Sequence, residues 1–293
     1  MELKPPLPLE QQIQAIKGKG FIVDNYQQAS EFLAQVGYYR LRAYFLPFRH
    51  QDGYQPGISF RRITKLYEFD TELRTWLFRI IGDIECYTRN QIATHLALAY
   101  GAECYMDADT FDVKRHRHEP YLKRIDSLIY ENRNTSVVKH HRATYGGHFP
   151  IWVIIEFFST GMLSFTYADL KRQDRKRIAR AAFNTGDQQL ESWLRAFTEL
   201  RNKCAHYTRL YFWRFTTVPR QPRDSRWKMD NSLFSQLYML SRMHPNQHSW
   251  RKEISRLEGI IQLYQPYMGR SHLGFPRDWK ALLSPEGCAC GIQ

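Results

Sequence analysis

The sequence predicts an all-α protein. Apolar residues recur at three- and four-residue intervals over long proline-free runs, the signature of amphipathic helices. The runs end at glycine, asparagine or proline, the residues that stop helices. No series of alternating apolar and polar residues joined by hairpin turns occurs, and no internal repeat. With 293 residues, 43% of them hydrophobic, the chain is long enough to bury a sizeable core.

In chain order, residues 1–9 form a proline-rich lead-in, and 9–18 and 26–36 read as short helices. Between them stand Gly18-Lys19-Gly20 and a brief extended stretch, Phe21–Val23. Residues 36–45 are aromatic and basic, and 50–57 are rich in turn residues. Short strands near Phe21 and Phe45 also fit this part of the pattern. From Ser59 to about Tyr100, Ile63, Leu66, Leu73, Leu77, Ile80, Ile84 and Ile92 mark one long helix, with Gly101 as its stop. Residues 117–132 and 134–145 predict two more, the second ending at Gly146-Gly147. The apolar run from Phe149 predicts a buried helix beginning at Pro150 and broken at Gly161. Lys171 to Ala182 is helical and basic, closed by Asn184-Thr185-Gly186. A helix then runs from Asp187 to about Phe212. Val218–Arg223 is a linker, and 230–243 and 248–264 form a last helical pair. The tail from Ser284 reads as loose. These breaks divide the chain into an N-terminal segment, 1–58, a helical core, 59–216, and a C-terminal part, 217–293.

Composition narrows the function. Forty-two Lys and Arg against 29 Asp and Glu give a net charge of +13, which favours a polyanionic partner, nucleic acid above all. The five cysteines show no CxxC pair, so neither a disulfide framework nor a zinc finger is supported. A reducing cytoplasm, with no metal and no cofactor, is the expectation. The polar start argues against a signal peptide. Residues 149–158 are too short to span a bilayer and carry Glu156, so no membrane role is expected.

The segment Arg201-Asn202-Lys203-Cys204-Ala205-His206 carries the chemistry. Arginine offers a permanent cation and a fork of donors for phosphate oxygens. Histidine accepts and donates protons near neutral pH. On an ideal helix from 187 to 212, Trp193, Phe197, Leu200, Cys204, Tyr207 and Tyr211 fall within about 40° of one line, a core stripe. Asn202, His206 and Arg209 lie opposite, with Arg195 near them, and Arg201 sits on the flank, about 140° from His206. Arg201 therefore curls over the helix edge or meets the histidine of a second copy. Spacing alone also describes the solvated face of a basic amphipathic helix.

Six short blocks, in order, resemble the AbiD/AbiF-like abortive-infection family of bacterial phage-defence proteins, within the HEPN superfamily. They are Gly37-Tyr-Tyr-Arg-Leu-Arg-Ala-Tyr44, Leu66-Tyr-Glu-Phe-Asp-Thr-Glu-Leu-Arg74 and Ile84-Glu-Cys-Tyr-Thr-Arg89. Next come Tyr145-Gly146 with Pro150-Ile-Trp152, then Glu156 with Gly161-Met-Leu-Ser164, and last Leu200–Leu210. After the last block the family's usual Asn-Arg is replaced by Tyr211-Phe212-Trp213-Arg214, which keeps only the arginine.

The resemblance implies a HEPN-type helical bundle with N- and C-terminal helical extensions, acting as a metal-independent endoribonuclease. It implies a homodimer in which two motif helices build one composite cleft. Arg201 and His206, with four residues between them, match the family's Arg-x4–6-His motif, and Asn202 is its favoured polar neighbour. In that reading His206 is the general acid or base, Arg201 stabilises phosphoryl charge and Asn202 orients either one. Lys203, Arg209, Arg89 and Arg40 are assigned to RNA contact. Arg89 with His95 is a candidate second motif, although Glu85 ahead of Arg89 also explains that arginine as structure. The alternative is a non-cleaving RNA-binding protein, in complex with a small structured regulatory RNA.

Three basic clusters (Lys114–His118, Lys139–Arg142 and Lys171–Arg177) read as solvated surface first and RNA contact second. Tyr38, Tyr39 and Tyr44 suit base stacking or the core, and Cys204 reads as packing.

Overall fold

A computed structural model describes residues 5–284. The expected all-α architecture is found. The helices are α1 (Leu9–Lys17), α2 (Tyr26–Val36), α3 (Tyr38–Leu41), α4 (Phe60–Tyr100), α5 (His118–Glu131), α6 (Ser136–Thr144) and α7 (Ile151–Ile154). They continue with α8 (Thr160–Asp169), α9 (Arg172–Phe183), α10 (Asp187–Ala205), α11 (Leu233–Met243), α12 (Gln247–Tyr264) and α13 (Trp279–Leu283). The strand pair among the described residues is a small antiparallel hairpin, β1 (Arg49–His50) and β2 (Gly53–Tyr54).

α4 is the spine. Its 41 residues span about 60 Å. Ser59 caps its start, its side chain accepting from the Arg62 N–H at 3.2 Å. Gly101, at φ 93°, ends it where an L side chain would be strained. α7, α9, α10 and α12 all pack on α4, and α8 and α11 cover α10. One continuous set of buried side chains runs from Ile13 to Leu283. Among the described residues, no helix is long and apolar enough to cross a membrane.

Several local expectations are corrected. Residues 42–48 are a 3-10 helix rather than a strand, although Ile22 does bridge to Ser59 beside Phe21. Gly161 does not break a helix. The run from Ile151 turns into a 3-10 segment at Ile155–Phe157, and Ser159 then caps α8, with Gly161 inside the first turn. α13 lies in a stretch where no helix was expected. The first four residues of the lead-in, and the tail beyond Ser284 with Cys288 and Cys290, lie outside the described residues.

Candidate functional site

α10 carries the motif. Leu190, Trp193, Leu194, Phe197, Leu200 and Cys204 are buried, while Arg195 and Asn202 are exposed. Burial pushes the Cys204 thiol up to about 12, so it is packing and not a nucleophile.

The helix does not run to Phe212. It stops at Ala205, and His206 is its C-cap. The Tyr207 N–H donates to the Cys204 carbonyl at 3.1 Å, and the Thr208 N–H to the Lys203 carbonyl at 2.9 Å. This is a Schellman ending, and it places Tyr207 in the left-handed region at φ 52°. Glycine usually takes that position, and a bulky residue costs about 1 kcal/mol or more there. The correction moves His206 from a helix face to a helix end. It also takes Tyr207 off the core stripe, since the residue is 63% exposed.

The strap that follows, 207–212, is held by groups far away in sequence. The Asp70 carboxylate, fully buried on α4, accepts the Leu210 and Tyr211 N–H groups at 2.8 Å each. It also accepts the Tyr44 hydroxyl at 2.8 Å and Arg74 Nη1 at 2.9 Å. Burial pushes the Asp70 carboxyl up, and Arg74 with the two N–H groups pulls against it. Burial works to lower the Arg74 guanidinium, but Asp70 and the neighbouring Tyr44 and Tyr67 together outweigh it and hold it above the ordinary value. Arg74 Nη1 reaches the Thr208 carbonyl at 3.4 Å, and Arg40 Nη1 the Tyr207 carbonyl at 3.3 Å. Tyr211 is therefore buried as expected, but through the strap rather than along a helix stripe. Tyr44 is core, and Tyr39 stands in solvent.

The side chains assigned to chemistry are placed unevenly. His206 is exposed, and its imidazole makes no hydrogen bond, ion pair or ring contact among the described residues. Asn202, one turn earlier, is exposed, and its Oδ1 lies 3.5 Å from Arg201 Nη1. Arg201 turns away from His206 towards α4, where its Nε lies 3.7 Å from Glu85 Oε2. The Thr160 hydroxyl donates to the same Glu85 oxygen at 3.2 Å. Lys203 Nζ sits 4.0 Å above the Trp213 ring. Arg40 remains exposed beside Tyr207.

Two assigned arginines are tied into the fold. Arg209 donates to the Ala43 carbonyl, and burial lowers its guanidinium below the ordinary value. Arg89 donates to Glu85 and, at 2.8 Å, to the Phe158 carbonyl, with its side chain only 12% exposed. Its proposed partner His95 points elsewhere, to Asp174 Oδ1 at 2.9 Å, and Tyr100 donates to the other Asp174 oxygen at 2.7 Å. Both groups already have structural partners.

Some members of the basic clusters are occupied. Arg175 and Arg115 bind Glu191 at 2.7 and 3.0 Å, and Arg172 pairs with Asp187. His116 stacks on Phe111 and faces Asp169 at 3.2 Å, and burial lowers its pKa below the ordinary value. Among the described residues, no group of three His, Cys, Asp or Glu side chains could hold a metal ion.

Sequence reasoning did not single out Tyr44, Asp70 and Arg74 as site-shaping residues. All three stand in the blocks quoted for the family resemblance, and for Asp70 and Arg74 that was the only signal. Residues 31–212 match the family described as Abi-like protein. The match begins within α2, ends at the last strap residue, and takes in Arg40, Asp70, Glu85 and the whole motif. No curated protein and no solved structure matches the chain. The family match covers well over half of the sequence, and the chain belongs to the Abi-like protein family.

Proposed function

We propose that the protein is a metal-independent HEPN-type endoribonuclease of a bacterial abortive-infection or toxin–antitoxin system, acting in the cytoplasm as a homodimer. The observation that carries this reading is His206 itself: an exposed imidazole without a partner, next to Asn202, at a helix end fixed by a buried network. The strain at Tyr207 agrees with it, since unfavourable backbone is retained where it positions a working group.

In this mechanism the ribose 2′-oxygen attacks the adjacent phosphorus. The 2′-O–P bond forms and the P–O5′ bond breaks. His206 takes the 2′-hydroxyl proton as general base, and the leaving 5′-oxygen, on the opposite side of phosphorus, takes its proton from water. Arg201 stabilises the charge gathering on the phosphoryl oxygens, and Asn202 orients the phosphate. The products are a 2′,3′-cyclic phosphate and a 5′-hydroxyl. DNA lacks the 2′-hydroxyl and is not cut by this route. Arg201 lies on a flank of α10, held towards Glu85, while His206 caps the helix end, so Arg201 works on the His206 of a second copy.

One observation favours the second reading, a non-cleaving RNA-binding protein held with a small structured RNA. Arg201 is ion-paired to Glu85 rather than presented beside His206. Incubation with labelled single-stranded RNA in EDTA separates the two. The nuclease reading expects cleavage that His206→Ala abolishes while RNA binding and thermal stability persist. Tight binding with no cleavage in any condition overturns it.

A further inference from the structure

At the opposite end of α10, about 28 Å from His206, lies a cavity of about 1180 Å³. It is walled by the α9–α10 turn, the 220–226 segment, the end of α11 and α13. Its charges are unbalanced. The acids lining it are already paired, Asp224 with Arg242 at 2.9 Å and Asp187 with Arg172 at 3.4 Å. Arg180 and Arg223 line it with no partner among the described residues. Arg220 is matched only by a neutral amide, Gln188 Oε1 at 2.7 Å.

Two further observations point the same way. α10 begins here without a capping side chain, and the Asp187 and Gln188 N–H groups have no partner among the described residues. Such a helix start carries partial positive charge and free donors. The basic segment is also fixed in place: Trp193 Nε1 donates to the Arg220 carbonyl at 2.9 Å, and the Arg220 N–H donates to the Ser192 hydroxyl at 2.9 Å.

We propose that this cavity is a phosphate-binding site separate from the motif, in which Arg180, Arg220 and Arg223 grip the phosphate of a free nucleotide or of an RNA 5′ end. The arginines supply forked donors suited to phosphate oxygens, and the α10 N-terminus supplies the backbone donors. The site does not rest on the nuclease reading and stands if that reading fails.

Titration calorimetry with ATP, and with short RNA carrying either a 5′-phosphate or a 5′-hydroxyl, tests the proposal on the full chain. His206→Ala serves as the background that prevents cleavage. Saturable ATP binding at one per chain assigns the free nucleotide. Preference for 5′-phosphorylated over 5′-hydroxyl RNA, without ATP binding, assigns the RNA end. In either case Arg180→Ala/Arg223→Ala weakens binding by about tenfold for each arginine removed. Both side chains are exposed and make no contact that the fold needs, and circular dichroism confirms folding. The proposal is overturned if ATP does not bind saturably and RNA binds without regard to its 5′ group, or if the double variant binds like the parent.

Discussion

At the residue scale, Glu85 decides how Arg201 is presented. Its carboxylate stands between Arg89 and Arg201, and it is 12% exposed against 34% for Arg201. A largely buried carboxylate between two guanidiniums orients both and cancels part of their repulsion. Glu85→Gln keeps the shape and removes the charge. The expected result is a loss of about 1–3 kcal/mol in stability, from two arginines left facing each other. Cleavage falls roughly tenfold through kcat, because Arg201 loses its orientation at the developing charge. RNA binding is unchanged or tighter, since net positive charge rises. Denaturant unfolding and single-turnover cleavage measure the two effects, and an unchanged kcat shows that Glu85 does not position Arg201. Half of this arrangement was legible. The Glu85–Arg89 pair shows in its four-residue helical spacing. The Glu85–Arg201 contact depends on how α10 docks on α4, and no local pattern encodes that.

At the element scale, the long helices were legible because local signals and tertiary structure agree. α4 has a serine cap, a proline-free apolar stripe and a glycine stop, and its bounds lie within a residue of those expected. α10 is the contrary case. Its apolar spacing continues through Tyr207 and Tyr211, and no glycine or proline interrupts it, yet the helix ends at Ala205. The end is imposed from outside: buried Asp70 takes the Leu210 and Tyr211 N–H groups that a continuing helix would have spent on its own carbonyls. Asp70→Asn therefore weakens one element selectively. The amide keeps an acceptor but loses the charge facing Arg74, which leaves a buried guanidinium uncompensated. The expected cost is about 3 kcal/mol, read by denaturant unfolding. The same variant loses RNA cleavage even under conditions where it remains folded, because the strap no longer fixes His206. Full activity in folded Asp70→Asn shows that the strap is not what places the histidine.

At the scale of the whole molecule, the Arg201–His206 motif has its arginine on a flank of α10 and its histidine at the helix end. Arg201 is held inward to Glu85, and His206 stands free at the helix end. A protomer so built supplies each half of a site but does not join them. A two-fold dimer would join them twice, with Arg201 of one copy acting on the partner's His206 in each of two equivalent sites. Complementation follows from that geometry. Arg201→Ala and His206→Ala are each inactive alone. After unfolding and refolding together, half of the dimers are mixed, and one of the two sites in each mixed dimer keeps both intact groups. The mixture thus regains about a quarter of the parent activity per chain, and each variant refolded alone regains none. Size-exclusion chromatography with light scattering confirms that the active species is a dimer. If the mixture stays inactive while each variant still dimerises, Arg201 and His206 of one chain must act together, by the arginine swinging off Glu85 and over the helix edge. Activity in an isolated monomer would point the same way, so the outcome separates a site shared between chains from one closed within a chain.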